Sequence, residues 1–226
     1  MLKQIVAASA LFAMPVAANA TQIILAPVNV VGSSGFYDAC CDFKPSNILD
    51  QQTGTVTEIG QNGFWLNKDG GPADAYITVK IGSGNDGVAL TGFDLYNTHN
   101  GPYADRGTGD FSIFGSNFIS GGQLVAPTLI LSGTLAAQNV NGGSIAQSFL
   151  ASGTYRYISF NPTSVAVGTD GIGNGVPCCG ANNYGLTELR VFGAAAAVPE
   201  PQSWVLLIAG FGLVGAAMRR RAMLAA

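Results

Sequence analysis

Charge is the scarcest property of this chain: of its 226 residues only 10% are Asp, Glu, Lys or Arg, and there is a single histidine, His99. Ten basic residues against thirteen acidic ones leave a formal charge of -3 and no basic stripe. With no helix-turn-helix, zinc-finger or RNP pattern either, nucleic acid is excluded as an expected partner. Neither a Gly-x-Ser-x-Gly elbow nor a papain-like cysteine is present, which removes the usual ways of presenting a nucleophile. Between the two ends there is no long amphipathic helical run, so a helical bundle is excluded as well. Cysteine is limited to four residues in two adjacent pairs, Cys40 with Cys41 and Cys178 with Cys179. Adjacent thiols on an extended chain point opposite ways, which suits no common zinc spacing.

What is abundant is apolar and turn-forming: 48% hydrophobic residues, 31 glycines and 10 prolines. The length suffices for one sizeable core, and one domain is the simpler expectation. Residues 1–20, MLKQIVAASALFAMPVAANA, have a positive start at Lys3, an apolar stretch from Ile5 to Ala18, and Ala18 and Ala20 bracketing Asn19. That is the build of a secretory signal peptide, with the mature chain starting at Thr21. Export permits disulfides, and the cysteines could be cross-linked between the pairs, bridged within each pair, or held as metal ligands or free thiols. Four cysteines allow three connectivities, and spacing does not choose among them.

Short apolar or alternating runs divided by Gly, Asn, Asp and Pro clusters predict an all-β domain. The expected strands are TQIILAPVNVV, DAYITVKIG, ALTGFDLYNT, DFSIFGS, LVAPTLILSGTLA, YRYISFNP and LTELRVFG. In DAYITVKIG, Ala75, Ile77, Val79 and Ile81 fall on one face and Tyr76, Thr78 and Lys80 on the other. Half-buried strands of this kind suit a sandwich of two sheets sharing one core. Residues 21–193 form this domain, 194–198 a small-residue linker, and 199–226 a tail.

Read in order, SNILDQQTGT, FWLNKDGGPADAYITVKIG, GFDLYNTHNGPYADRGTGDFSIFGS, TYRYISFNP and GLTELRVFG form a succession that resembles the discoidin, or coagulation factor 5/8 type C, family of galactose-binding-like jelly rolls. The resemblance spans about Ser46 to Gly193 and implies a discoidin-like jelly-roll β-sandwich. In many members of that fold an early loop and the last strand meet around a structural calcium ion. Carried over to this chain, the resemblance implies Asp50, Gln52, Thr55 and Glu188 as ligands, and hard oxygen donors in a loop are what calcium prefers. The chain departs from the family in reading Asp50-Gln51-Gln52 where Asp-Gly-Asn or Asp-Gly-Asp is usual, and in lacking the aromatic residue after the threonine. The resemblance also implies that the cysteine pairs tie together the ends of the domain, each cross-link contributing about 2 to 4 kcal/mol if unstrained.

The stretch NTHNGPYADRGTGDF gathers Asn97, His99, Asn100, Tyr103, Asp105, Arg106 and Asp110. Its simplest reading is architectural: NTHN closes a strand, and Asp105 with Arg106 forms an ion pair before DFSIFGS. Thirteen acidic residues always allow some carboxylate pair to be drawn, so a glycosidase is not indicated. Carbohydrate binding needs a planar group to stack on a sugar and amides or guanidinium to read hydroxyls. His99, Asn100, Tyr103 and Arg106 are candidates, with Asn182, Asn183 and Tyr184 from the loop after the second cysteine pair. Trp65 suits a core anchor better than a stacking platform.

The tail, VPEPQSWVLLIAGFGLVGAAMRRRAMLAA, has an apolar run from Trp204 to Met218, short of the roughly twenty residues that comfortably span a bilayer. Arg219, Arg220 and Arg221 would keep its end cytoplasmic. Pro199, Glu200 and Pro201, then Trp204, a Gly-containing transmembrane helix and the arginines resemble the PEP-CTERM sorting domain of Gram-negative bacteria. The resemblance implies recognition by the membrane enzyme exosortase, removal of the helix, and delivery to the cell surface or extracellular matrix. The expectation is a non-enzymatic, exported module that binds carbohydrate, associated with exopolysaccharide or biofilm. The alternatives are a structural surface protein without a ligand and a secreted polysaccharide hydrolase.

Overall fold

A computed structural model describes residues 20–38, 42–53, 63–68, 74–98, 106–137, 144–166, 184–194 and 208–211. All four cysteines, residues 1–19, Pro199, Glu200, Pro201, Trp204 and Arg219 to Arg221 lie outside the described residues. The chain divides into two compact units, Ala20–Ala194 and the two ends, Met1–Asn19 with Ala195–Ala226. Of the second unit only a helical turn at 208–211 is described. Among the described residues no helix is long and apolar enough to cross a membrane.

The unit Ala20–Ala194 is built from strands. They are β1 (Ala20–Ile23), β2 (Val30–Ser33), β3 (Trp65–Leu66), β4 (Ile77–Lys80), β5 (Val88–Asn97), β6 (Gly107–Thr108), β7 (Asp110–Ser116) and β8 (Ile119–Ser120). There follow β9 (Gln123–Leu124), β10 (Thr128–Thr134), β11 (Ala146–Leu150), β12 (Thr154–Tyr155), β13 (Tyr157–Pro162), β14 (Val165–Ala166) and β15 (Gly185–Ala194). One antiparallel sheet runs β1-β15-β5-β11, with β3 on β15 and β12 on β5; the second runs β10-β7-β13-β4-β2. The expected all-β sandwich is what forms.

Alternation places the core. Ile77 and Val79 of β4, Ile158 and Phe160 of β13, and Phe111 and Ile113 of β7 come from one sheet. Phe93 and Leu95 of β5 and Leu189 and Val191 of β15 come from the other. Each is buried, and removing such side chains from water is the dominant stabilising term. Trp65 is fully buried in the same cluster and its indole N–H donates to Gly35 O at 3.0 Å, the core anchor expected of it.

Three expected strands are each two. TQIILAPVNVV breaks at a 3-10 turn, Pro27–Asn29, because Pro27 lacks an N–H for the ladder and Asn29 accepts from Ala26 N through its side chain at 2.9 Å. Its halves then join different sheets. LVAPTLILSGTLA breaks at Ala126, which adopts φ +47°, and at Pro127. YRYISFNP breaks at Arg156, with β12 pairing with β5 and β13 with β4 and β7. Strand β11 was not anticipated; it pairs with β5 at the edge of the sheet, and Leu150 at its end is exposed, so its alternation is faint in the sequence.

Candidate functional site

Two places carry the residues singled out by sequence. The first joins the loop after the 3-10 turn Pro45–Leu49 to β15. Ile48 and Leu49 are driven into the core, which leaves Asp50 at the end of that turn beside the last strand. Asp50 accepts from Gln52 N at 2.9 Å, and Gln51 N donates to Glu188 Oε2 at 3.2 Å. Gln51 sits at φ +64°, the left-handed region where glycine is normally found. The position at which the sequence departs from the family's glycine is therefore one where the backbone still adopts a glycine-like conformation.

Glu188 is fully buried, and its Oε1 makes no hydrogen bond. The nearest cation in an ion pair with it is Arg190 Nε at 3.8 Å. Burial pushes the carboxyl up to about 8, the Asp50 charge adds to the rise, and Arg190 and the Gln51 N–H oppose it. Burial raises Asp50 as well, against hydrogen bonds from the Gln52 and Asp50 N–H groups. Arg190 is itself occupied: its Nη1 donates to Tyr96 Oη at 2.8 Å and its guanidinium lies 4.7 Å from the Tyr96 ring centre. A buried carboxylate that feels the charge of a second carboxylate, with one cation 3.8 Å away, fits a hard cation better than it fits a bare interior. Among the described residues no three His, Cys, Asp or Glu side chains group around a metal position. Gln52 is exposed, and Thr55 lies outside the described residues.

The second place is the base of the loop between β5 and β6. Asn97 is fully buried. Its Nδ2 donates to Thr108 O at 2.8 Å and Ala136 O at 3.0 Å, while its Oδ1 accepts from Thr108 N at 2.8 Å and Thr98 N at 3.0 Å. One side chain thus closes the loop 98–108 on itself. Thr108 Oγ1 donates to Gly185 O at 2.8 Å, which ties that closure to the start of β15. Gly185 has no room for a side chain: a Cβ there would lie 2.2 Å from Thr98 Cγ2 and 2.5 Å from Arg106 O.

Two of the expected sugar contacts are corrected by their burial. Arg106 is only 5% exposed, with its guanidinium 5.9 Å from the Tyr37 ring centre, so it supports the loop from inside. Tyr184 is 1% exposed, packed in the core, with its hydroxyl reaching Thr163 O at 3.4 Å; its ring offers no face to a sugar. His99, Asn100, Tyr103, Asp105, Asn182 and Asn183 lie outside the described residues. Sequence reasoning noticed Asn97 without its role and passed over Thr108, Gly185 and Arg190. The available signal was a polar Asn-Thr pair ending an apolar strand, since a buried amide there has to be satisfied by backbone.

Residues 197–221 match the family model of the PEP-CTERM protein-sorting motif. The chain carries a PEP-CTERM sorting motif. No curated protein matches the chain. Solved structures similar to the chain include chitosan-binding module 1 from a Paenibacillus sp. IK-5 chitosanase/glucanase, 20% identical over 77% of this chain and 100% of that one, with a TM-score of 0.48. The C-terminal domain of a Bacteroides fragilis chitobiase is 17% identical over 78% and 99%, with a TM-score of 0.49. The family 32 carbohydrate-binding module of Clostridium perfringens NanJ, solved with galactose, is 13% identical over 77% and 99%, with a TM-score of 0.45.

Proposed function

We propose that this chain is an exported protein whose β-sandwich binds carbohydrate at the cell surface or in the extracellular matrix of a Gram-negative bacterium, in association with exopolysaccharide or biofilm. The observation that carries the reading is the sorting motif at 197–221, which accounts for Pro199, Glu200, Pro201, the apolar run and Arg219 to Arg221 together. Exosortase is the processing partner, and the apolar helix holds the chain in the inner membrane until it is removed. The sugar-reading residues are His99, Asn100 and Tyr103 on the loop that Asn97 closes, with Asn182 and Asn183 from the loop leading into β15. Support comes from the way Asn97, Thr108 and Gly185 lash the bases of these two loops together, which is what a binding loop on a rigid scaffold requires. The sandwich acts by binding and not by catalysis.

A calcium ion is part of the reading. Asp50 and Glu188 are its charged ligands, with oxygens from Gln52 and Thr55, and when bound it neutralises two neighbouring carboxylates and braces the turn to the last strand. It supplies no chemistry to a reaction.

A glycan array probed with the purified protein tests the binding. Saturable binding that is lost in His99→Ala and Tyr103→Ala supports the reading. Silence across the array overturns carbohydrate recognition and leaves a structural surface protein.

A further inference from the structure

The outer face of the second sheet carries a cleft that the loop-end reading does not use. After β7 the chain does not pass straight to β10 but makes the hairpin β8–β9, turned by Gly121 and Gly122 at φ +57° and +81°, which suit a tight two-residue hairpin turn. This hairpin lies against β13 and reaches β2, where Gly122 rests on Gly32 so closely that a Cβ on Gly32 would meet Gly122 O at 2.1 Å. Ser116 secures its base by donating to Val125 O and accepting from Phe118 N at 3.1 Å. Between hairpin and sheet remains an open cleft of about 230 Å³.

Its floor is the outward side of β4, β13 and β7. Thr78 stands opposite Ser159, and Ser159 opposite Phe114, in one row across the sheet. Tyr76 and Asn161 also line the floor, and Gln123, Leu124 and Pro127 of the hairpin segment form the facing wall. Tyr76 is fixed from behind, its N–H donating to Ser34 Oγ at 3.1 Å and its carbonyl accepting from Ser34 N at 2.9 Å. Ser159 Oγ donates to Asn161 Oδ1 at 2.7 Å, which sets the amide plane and leaves its N–H donors without a bond among the described residues.

The decisive group is Thr78. It is fully buried at the floor of the cleft, and its Oγ1 has no hydrogen-bond partner. A buried hydroxyl without a partner costs free energy that a guest atom in the cleft would recover once a small side-chain shift uncovers Oγ1. Among the described residues the lining around it is two aromatic rings, two amides and two hydroxyls, with Asp74 the one carboxylate and no Lys, Arg or His. Rings for an apolar face and neutral polar groups for hydroxyls describe the complement of a pyranose, and the Asp74 carboxylate in the lining disfavours a uronate or sulfated sugar. The volume lies below that of drug-sized pockets, so it takes one sugar unit of a longer chain that leaves through the open side.

We propose that this cleft is a second saccharide site, taking one neutral hexopyranosyl unit of an extended glycan on the sheet face, with Tyr76 and Phe114 as the stacking floor and Thr78, Asn161 and Gln123 reading hydroxyls. It rests on the reading that the ligand of this domain is carbohydrate. The test is titration calorimetry of the purified protein with cellotriose, maltotriose and galactobiose, with trigalacturonate as the anionic control. At least one neutral oligosaccharide binds and trigalacturonate does not. Tyr76→Ala and Asn161→Ala weaken that binding about tenfold or more. Thr78→Val, which removes the orphan hydroxyl and keeps the shape, weakens it about three- to tenfold while the melting temperature holds or rises. A purely structural role for Thr78 would lower the melting temperature and leave binding intact. His99→Ala leaves this site unaffected. Binding lost in His99→Ala and untouched by the three cleft variants overturns the cleft and spares the loop-end reading. No oligosaccharide binding in any arm overturns both.

Discussion

Glu188 is the residue on which the chemistry of the last strand turns. Its neutral carboxyl is favoured in the folded chain, with a value near 8 against 4.5 for the free group. The stabilisation is therefore fully present below about pH 4.5 and is lost as pH rises through about 8. In chelator, thermal unfolding should show the melting temperature falling between about pH 5 and about pH 8. Glu188→Gln should flatten that fall, since an amide keeps the shape and cannot ionise. Added calcium should reverse the slope, because the ion favours the charged form of both Asp50 and Glu188; an unchanged pH profile in Glu188→Gln would remove this account. Gln51 carries its left-handed backbone at a cost that glycine would not meet. Gln51→Gly should stabilise the fold by up to about 1 kcal/mol in urea unfolding, part of the gain being offset by the greater freedom of glycine in the unfolded chain. Asn97→Ala leaves Thr108 N, Thr108 O, Thr98 N and Ala136 O without the partner they share, and should cost about 3 kcal/mol by the same measurement. None of these three roles was visible from residue type alone. An Asn before a Thr or a Glu on an alternating strand reads the same whether buried or exposed, and only the partners brought from distant positions decide it.

At the scale of elements, the apolar runs located the strands and misjudged their continuity. Each of the runs holding β1 with β2, β9 with β10 and β12 with β13 spans two strands, cut respectively by a Pro-led 3-10 turn, by left-handed Ala126 with Pro127, and by Arg156, where the chain changes its pairing partner. Period-two alternation is blind to that change, since both halves keep an inward face. The glycines are the sharper signal. Gly185→Ala forces the start of β15 away from Thr98 and Arg106 and should cost about 1 to 3 kcal/mol, with loss of any binding that depends on the loop 98–108. The paired readout is urea unfolding with the glycan array; a variant of undiminished stability and binding would show that the two loop bases are not coupled.

At the scale of the whole molecule, the tail and the sandwich are separate matters. Intact-mass measurement of the protein from its native host should find the chain starting at Thr21 and lacking the apolar helix; a mass that retains Trp204 to Ala226 would refute processing. The sorting motif was legible in the sequence, because it is a contiguous string, Pro199-Glu200-Pro201 with its apolar and basic flanks, and contiguity is what a linear sequence preserves. The all-β class was legible for a similar reason, as alternation and turn residues are local properties. The sites were not. Asp50 and Glu188 are 138 positions apart in number, and they meet because the burial of Ile48 and Leu49 delivers one to the strand that holds the other. Tyr184 and Arg106, which composition offered to solvent, were taken into the interior by packing, while Thr78, an ordinary outward strand residue, was buried at the floor of a cleft beside a hairpin whose glycines reach across the sheet. Sequence alone determined where the chain is sent and what kind of fold it adopts; which side chains face a ligand was decided by long-range packing, since burial and partnership are properties of the assembled core and not of any one segment.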